Sequence, residues 1–148
     1  MALTKNEQEN FLKEWTPYAD TKEHIVSTGL GAYNKLFHAH PEYIQYFSRL
    51  EGLTIDNVMQ SEGVKHYAET LVRAITQMAK VATDEKELKK YMAQYGKDHA
   101  EKELSRAEFM TGEPIFTQYF QSLLKEEQNK KTLAKLLRHV FPPMCAEI

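Results

Sequence analysis

Three side chains in this sequence combine reactive chemistry with an apolar setting: Tyr33, Tyr67 and His99. Each shares the apolar stripe of a predicted helix. A phenol hydroxyl can donate a hydrogen bond, and a neutral imidazole can bind a metal ion. Polar groups directed into an apolar interior need partners, because an unpaired buried polar group costs free energy. A pocket in which the imidazole holds a flat iron cofactor and the two phenols face a polar gas would supply such partners.

His99 ends the stripe formed by Leu88, Met92 and Tyr95. A lone histidine on an apolar face is more often a core residue with a satisfied hydrogen bond, and that interpretation stays open here. The sequence has no His-Glu-x-x-His motif, cysteine cluster or paired Glu-x-x-His motifs, and no phosphate-binding loop or nucleophile elbow. One imidazole ligand in a helical, aromatic-rich chain fits haem better than bare zinc.

The elements that must position these residues are all predicted to be helices. Apolar residues recur at helical spacing, and no useful alternating run predicts a strand. A capping box of Thr4 and Glu7 predicts a first helix, which Pro17 is expected to end. Apolar stripes predict helices over about 22–38 and 55–82, the last being the longest. Pro41 opens a short helix that ends near Phe47, and 49–54 forms a loop.

Capping residues and prolines place the later helices. Thr83 is predicted to cap the fourth long helix, and Ser105 with Glu108 to form a capping box for the fifth. Pro114 predicts a kink or a late start in that fifth helix. The last helix covers about 127–141, and the proline pair that follows it, Pro142 and Pro143, is expected to end it.

A small-residue contact is predicted between the second and third long helices. Gly29 lies one turn before Tyr33, and Ala68 follows Tyr67 directly. Small residues allow two helices to cross with their backbones close together. If Gly29 meets Ala68, the crossing places the two tyrosines side by side. Alternatively, Gly29 and its neighbour Gly31 merely loosen their helix.

Composition limits the class of protein. The chain has 148 residues, 42% of them hydrophobic and 27% charged, with a formal net charge of −2. This balance argues against a nucleic-acid partner, and no apolar run approaches the roughly 18 residues that span a membrane. The polar first ten residues lack a signal core, so we expect a cytoplasmic protein. The single cysteine, Cys145, allows no internal disulfide.

The spacing of these residues resembles that of the globin family. The element from Pro41 to Phe47 resembles the short globin helix and the phenylalanine that packs flat on haem. Tyr33 lies 14 residues before Phe47, where globins place an inward residue of the second helix. Tyr67 lies 20 residues after Phe47, at the distal position, and His99 lies 32 residues after Tyr67, at the position of the proximal histidine. Trp15 and Gly29 are further matches.

The resemblance implies an all-α fold, a single globin domain over 1–148 in which a three-over-three helical sandwich surrounds haem b (iron protoporphyrin IX). His99 would be the iron ligand, and Phe47, Leu71 and Tyr95 would line the cofactor pocket. Phe37 would support its distal side. Arg49 and Lys102 are candidates for pairing with the haem propionates, although a solvated charge is the alternative for both.

The distal position departs from the usual family pattern. Tyr67 stands where histidine or glutamine is common, and His66 should miss the iron because one helical step turns a side chain by about 100°. The tyrosine pair resembles the haemoglobins of trematodes (flukes). This resemblance implies a monomer that binds O2 and other diatomic gases, holding O2 tightly through Tyr33 and Tyr67.

Three function classes remain open from sequence. The first is reversible oxygen binding for storage, transport or scavenging, without an enzymatic role. The second is an enzyme on the same scaffold, with peroxidase-like or nitric-oxide-consuming activity. The third is a helical sensor or interaction module without haem, which a Soret absorption band in the purified protein would exclude.

Overall fold

A computed structural model describes the backbone of residues 2–100 and 106–145, and the side chains of 2–95 and 108–144. Within these ranges the chain forms six α-helices and contains no strand, which confirms the all-α prediction. The helices are α1 (Lys5–Trp15), α2 (Lys22–Ala39), α3 (Glu62–Val81), α4 (Glu85–Ala100), α5 (Arg106–Leu123) and α6 (Glu127–Cys145). Short 3-10 segments at Pro41–Tyr46, Ser48–Leu50 and Val58–Gln60 connect α2 to α3.

The helices cross in pairs around one core. α2 packs most extensively on α3 and also contacts α5, while α6 packs on α1, α4 and α5. Aromatic and aliphatic side chains from all six helices are buried in a continuous cluster. Burial of this apolar surface is the main favourable contribution to folding.

The starts of α1 and α3 are set by hydroxyl caps. Thr4 and Glu7 form the predicted capping box of α1. The predicted start of α3 near residue 55 is wrong, because the helix begins at Glu62. Ser61 has extended backbone geometry and its Oγ accepts a hydrogen bond from the Val64 N–H, which fixes the helix start there.

The predicted cap of α4 is wrong by one residue. Asp84 Oδ1, not Thr83, accepts hydrogen bonds from the backbone N–H groups of Lys86 and Glu87, at 3.1 and 3.2 Å. A carboxylate is the better cap here, because its negative charge also faces the positive end of the helix dipole. Ser105 lies outside the described residues.

Pro114 and the pair Pro142 and Pro143 lie inside helices. α5 runs from Arg106 to Leu123 with Pro114 inside it, so a late start at Pro114 is wrong. α6 continues through the proline pair to Cys145. Phe141 and Met144 are buried on either side of that pair, and their packing offsets the backbone hydrogen bonds that proline cannot donate.

The predicted meeting of Gly29 and Ala68 is confirmed. A Cβ atom added to Gly29 would lie 2.2 Å from the Ala68 carbonyl oxygen and 2.7 Å from its Cα. The backbones of α2 and α3 therefore approach so closely that no side chain fits at position 29. The crossing brings the rings of Tyr33 and Tyr67 to a centroid distance of 6.5 Å.

Side chains of α1 complete the ends of two other helices. Gln8 Nε2 donates to the carbonyl oxygens of Ala79 and Lys80 at the end of α3. The Glu14 carboxylate accepts from the Lys125 N–H and from Asn129 Nδ2, where α6 begins. α1 thus caps one helix at each end of the bundle and fixes their relative position.

Replacing Gly29 with alanine should destabilise the fold, because the new methyl group meets backbone and not a movable side chain. Gly29→Ala is expected to lower the free energy of unfolding by about 1–3 kcal/mol, measured by urea denaturation. Gly112→Ala is the matched control, since its Cβ would meet only Phe116 at 3.8 Å. Equal stability of the two variants would contradict the close crossing.

Glu14→Gln should lower the melting temperature by roughly 2–4 °C at pH 7 through loss of a charged cap. Burial opposes the Glu14 charge, but hydrogen bonds from Asn129, Lys125 and Glu126 outweigh it and lower the pKa of the carboxyl group. Because the pKa of Glu14 is lower in the folded state, its charge stabilises the fold at a pH above the pKa of the unfolded state. This stabilisation is lost as the pH falls through the pKa of the folded state.

The difference in melting temperature between wild type and Glu14→Gln should therefore shrink as the pH falls below about 4. Glu9→Gln, an exposed position on the same helix, is the control and should change little. A difference that stays constant from pH 7 to pH 3 would contradict the capping role of the Glu14 charge.

Candidate functional site

A largely apolar cavity lies between the helices on the side of the α2/α3 crossing. Its empty volume is about 740 Å³, which includes open solvent at the mouth of the cavity. Every helix except α1 contributes to its wall, together with the 3-10 segment Pro41–Tyr46. The lining includes Tyr33, Leu36, Phe47, Leu71, Ile75, Met78, Tyr95, Phe109, Phe116, Leu137, Phe141 and Met144.

Tyr33 places a phenol in the cavity wall. Its side chain is 7% exposed and packs edge-on against Phe47 and Phe116, with ring centroids 5.8 and 5.5 Å away. Within the described residues its hydroxyl makes no hydrogen bond. Burial raises the pKa of Tyr33 well above its usual value, and the nearby Tyr95 and Tyr67 add to the shift. The hydroxyl therefore stays protonated, as a hydrogen-bond donor, at physiological pH.

Tyr67 is buried beside the cavity, but its hydroxyl is directed to the loop before α3. Its Oη accepts a hydrogen bond from the Arg49 backbone N–H at 3.2 Å and lies 3.5 Å from Ser48 Oγ. Its ring packs on Phe47 at a centroid distance of 4.9 Å. Among the side chains that the structure describes, Tyr67 is not part of the cavity lining, whereas Tyr33 is.

The other predicted site residues occupy three kinds of position. Phe47, Leu71 and Tyr95 line the cavity. The Arg49 side chain is exposed and lies outside the lining, although its backbone contacts Tyr67. The backbone of His99 lies in α4, but its side chain is outside the described part of the structure, as is all of Lys102.

The remaining histidines lie away from the cavity. His24, His38, His66 and His139 are exposed, and His40 stacks on Tyr43. The His66 ring contacts Tyr67 from the outer side of α3, at a centroid distance of 5.4 Å. Among residues with described side chains, no group of three or more histidines, cysteines or carboxylates could hold a metal ion.

Tyr46 and Glu108 form a polar contact at the edge of the cavity. Both line it and both are partly exposed, which places them where the cavity meets solvent. The Tyr46 hydroxyl donates to the Glu108 carboxylate, and this hydrogen bond raises the pKa of Tyr46. The contact joins the Pro41–Tyr46 segment to α5, so it ties together two walls of the cavity.

Sequence reasoning missed Tyr46, Glu108 and Ser48 as residues of the site. No helical periodicity applies to the 3-10 segments that carry Tyr46 and Ser48, and Glu108 was assigned to a helix cap. Gly63 was also overlooked as a contact point. A glycine in the first turn of a helix that otherwise shows a clear apolar stripe is the signal that could have identified it.

Within the described residues, no helix is both long enough and apolar enough to cross a bilayer.

Comparison with known proteins gives consistent matches. The model of the Globin family matches residues 30–144. A globin of Isoparorchis hypselobagri is 44% identical over the full length of both chains, and a globin of Dicrocoelium dendriticum is 34% identical over 95% of this chain and 91% of its own.

Solved structures agree with the sequence matches. Ferric myoglobin from Aplysia limacina superposes with a TM-score of 0.80 over 98% of each chain, although only 17% of the residues are identical. At that identity the likeness shows the fold alone. The family match covers most of the chain, and two relatives exceed 30% identity over nearly all of it. The chain therefore belongs to the globin family.

Proposed function

We propose that this globin binds haem b (iron protoporphyrin IX) in the cavity and holds O2 reversibly and with high affinity. One observation supports the proposal most strongly. Tyr33 lines the largely apolar cavity, and its raised pKa keeps its hydroxyl protonated as a hydrogen-bond donor. A polar gas bound in the cavity would accept a hydrogen bond from this hydroxyl.

The cavity wall suits a flat apolar macrocycle. Phe47, Phe109, Phe116 and Phe141 surround the empty space, and aliphatic side chains fill the gaps between them. Aromatic rings offer large apolar contact areas, and this arrangement would exclude water from the bound group. Membership of the globin family, in which haem binding is expected, agrees with this fit.

Haem, when bound, supplies an iron ion that takes up O2 and other diatomic gases. His99 would bind the iron, and Phe47, Leu71 and Tyr95 would pack against the bound group. Arg49 is exposed near the cavity edge and is our candidate for pairing with a propionate. The rate of gas release would then depend on the side chains that can donate a hydrogen bond to the gas.

Tyr33 would retain O2 by donating a hydrogen bond to it. Bound oxygen carries partial negative charge, and a hydrogen bond to a charged acceptor contributes about 1.5–3 kcal/mol. This range corresponds to roughly 10-fold to 100-fold slower release. Carbon monoxide is less polarised and gains less, so the residue favours O2 over CO. The raised pKa of Tyr33 keeps the donor protonated.

Tyr67 would act as the second donor, with a smaller effect. Its hydroxyl lies next to the Arg49 N–H, outside the cavity lining, and must move away from the loop to reach a gas. The two phenols are close enough to interact, so their contributions should not simply add.

Tyr33→Phe tests the proposal, because it keeps the ring and removes the donor. We expect O2 release from the haem-loaded protein to become roughly 10-fold to 100-fold faster in stopped-flow measurements. CO release should change by less than about threefold, and Tyr67→Phe should accelerate O2 release less than Tyr33→Phe.

Tyr119→Phe is the matched control, since Tyr119 lies on α5 outside the cavity lining. It should leave the release of both gases unchanged. O2 release within about twofold of wild type in both Tyr33→Phe and Tyr67→Phe would show that neither phenol holds the gas.

A further inference from the structure

The turn Ser48–Leu50 rests directly on the first turn of α3. A Cβ atom added to Gly63 would lie 2.4 Å from the Arg49 carbonyl oxygen and 2.9 Å from Leu50 Cδ2. Leu50 is 1% exposed, so the turn is anchored in the core beside this glycine. Any side chain at position 63 would push the turn away from α3.

The same turn supplies the hydrogen-bond partner of Tyr67. Gly63 and Tyr67 are four residues apart, so they lie one above the other on the same face of α3. With the turn seated on Gly63, the Arg49 N–H comes within 3.2 Å of Tyr67 Oη. Gly63 itself makes no contact with the phenol, and its influence passes through the turn.

We propose that Gly63 is a positioning residue for Tyr67: the turn that it admits competes with bound gas for the position of the Tyr67 hydroxyl. The phenol oxygen accepts from the Arg49 N–H outside the cavity lining, whereas the phenol proton would have to reach the gas inside it. The inference rests on the proposed function for the gas, but not for the position of the phenol. While the Arg49 N–H holds the oxygen, the hydroxyl stays beside the cavity. A displaced turn releases the hydroxyl, and Tyr67 then joins Tyr33 in holding O2.

The first experiment uses the protein without haem and measures amide hydrogen exchange at Arg49 by NMR. Loss of its acceptor in Tyr67→Phe should speed exchange of this amide at least tenfold, and Gly63→Ala should do the same by moving the turn. Unchanged exchange in either variant would overturn the positioning role.

The second experiment measures O2 release from the haem-loaded protein. Gly63→Ala should slow release at least threefold in the presence of Tyr67, and should have no effect in a Tyr67→Phe background. In a Tyr33→Phe background the slowing should persist. An equal effect with and without the Tyr67 hydroxyl, or no slowing at all, would overturn the competition.

Leu50→Ala is the second variant in case Gly63→Ala does not fold. It removes the buried anchor of the same turn without adding a clash, and should give the same pattern in both measurements. A chain that takes up no haem would overturn the proposed function and the competition for gas. Exchange at Arg49 would still decide whether Gly63 positions Tyr67.

Discussion

The close crossing of α2 and α3 at Gly29 and Ala68 is the constraint on which the site depends. Backbone contact at this point sets the distance between the helices that carry Tyr33 and Tyr67. A larger residue at position 29 would separate the helices and move both phenols relative to the cavity. A packing requirement on two residues without polar side chains thus determines the spacing of the two phenols.

The two tyrosines differ in what their hydroxyls can do. Tyr33 has no hydrogen-bond partner within the described residues and lines the cavity, so it can donate to a ligand without breaking an existing bond. Tyr67 already accepts a hydrogen bond from the Arg49 backbone. The two tyrosines therefore have the same chemistry but different surroundings: one hydroxyl lies in the cavity wall, and the other is bound to the loop before α3.

Sequence predicted the helical fold and the glycine crossing, since both follow from local periodicity and residue size. It placed the α3 start too early because the turn residues 55–60 carry apolar side chains that mimic a helical stripe, whereas the Ser61 cap decides the start. It could not predict the Arg49–Tyr67 and Tyr46–Glu108 hydrogen bonds. Each of these hydrogen bonds joins two segments that only the whole fold brings together. No local sequence pattern therefore predicts them.

We propose that the cavity holds haem and that His99 binds its iron. Titration of haem into the purified apoprotein, followed by visible absorption, tests it most directly. Wild type should take up one haem per chain and show a sharp Soret band that shifts when O2 replaces argon over the reduced protein. His99→Ala should lose this band and regain it with added imidazole. Identical spectra for the two proteins, or no haem uptake by wild type, would contradict the account.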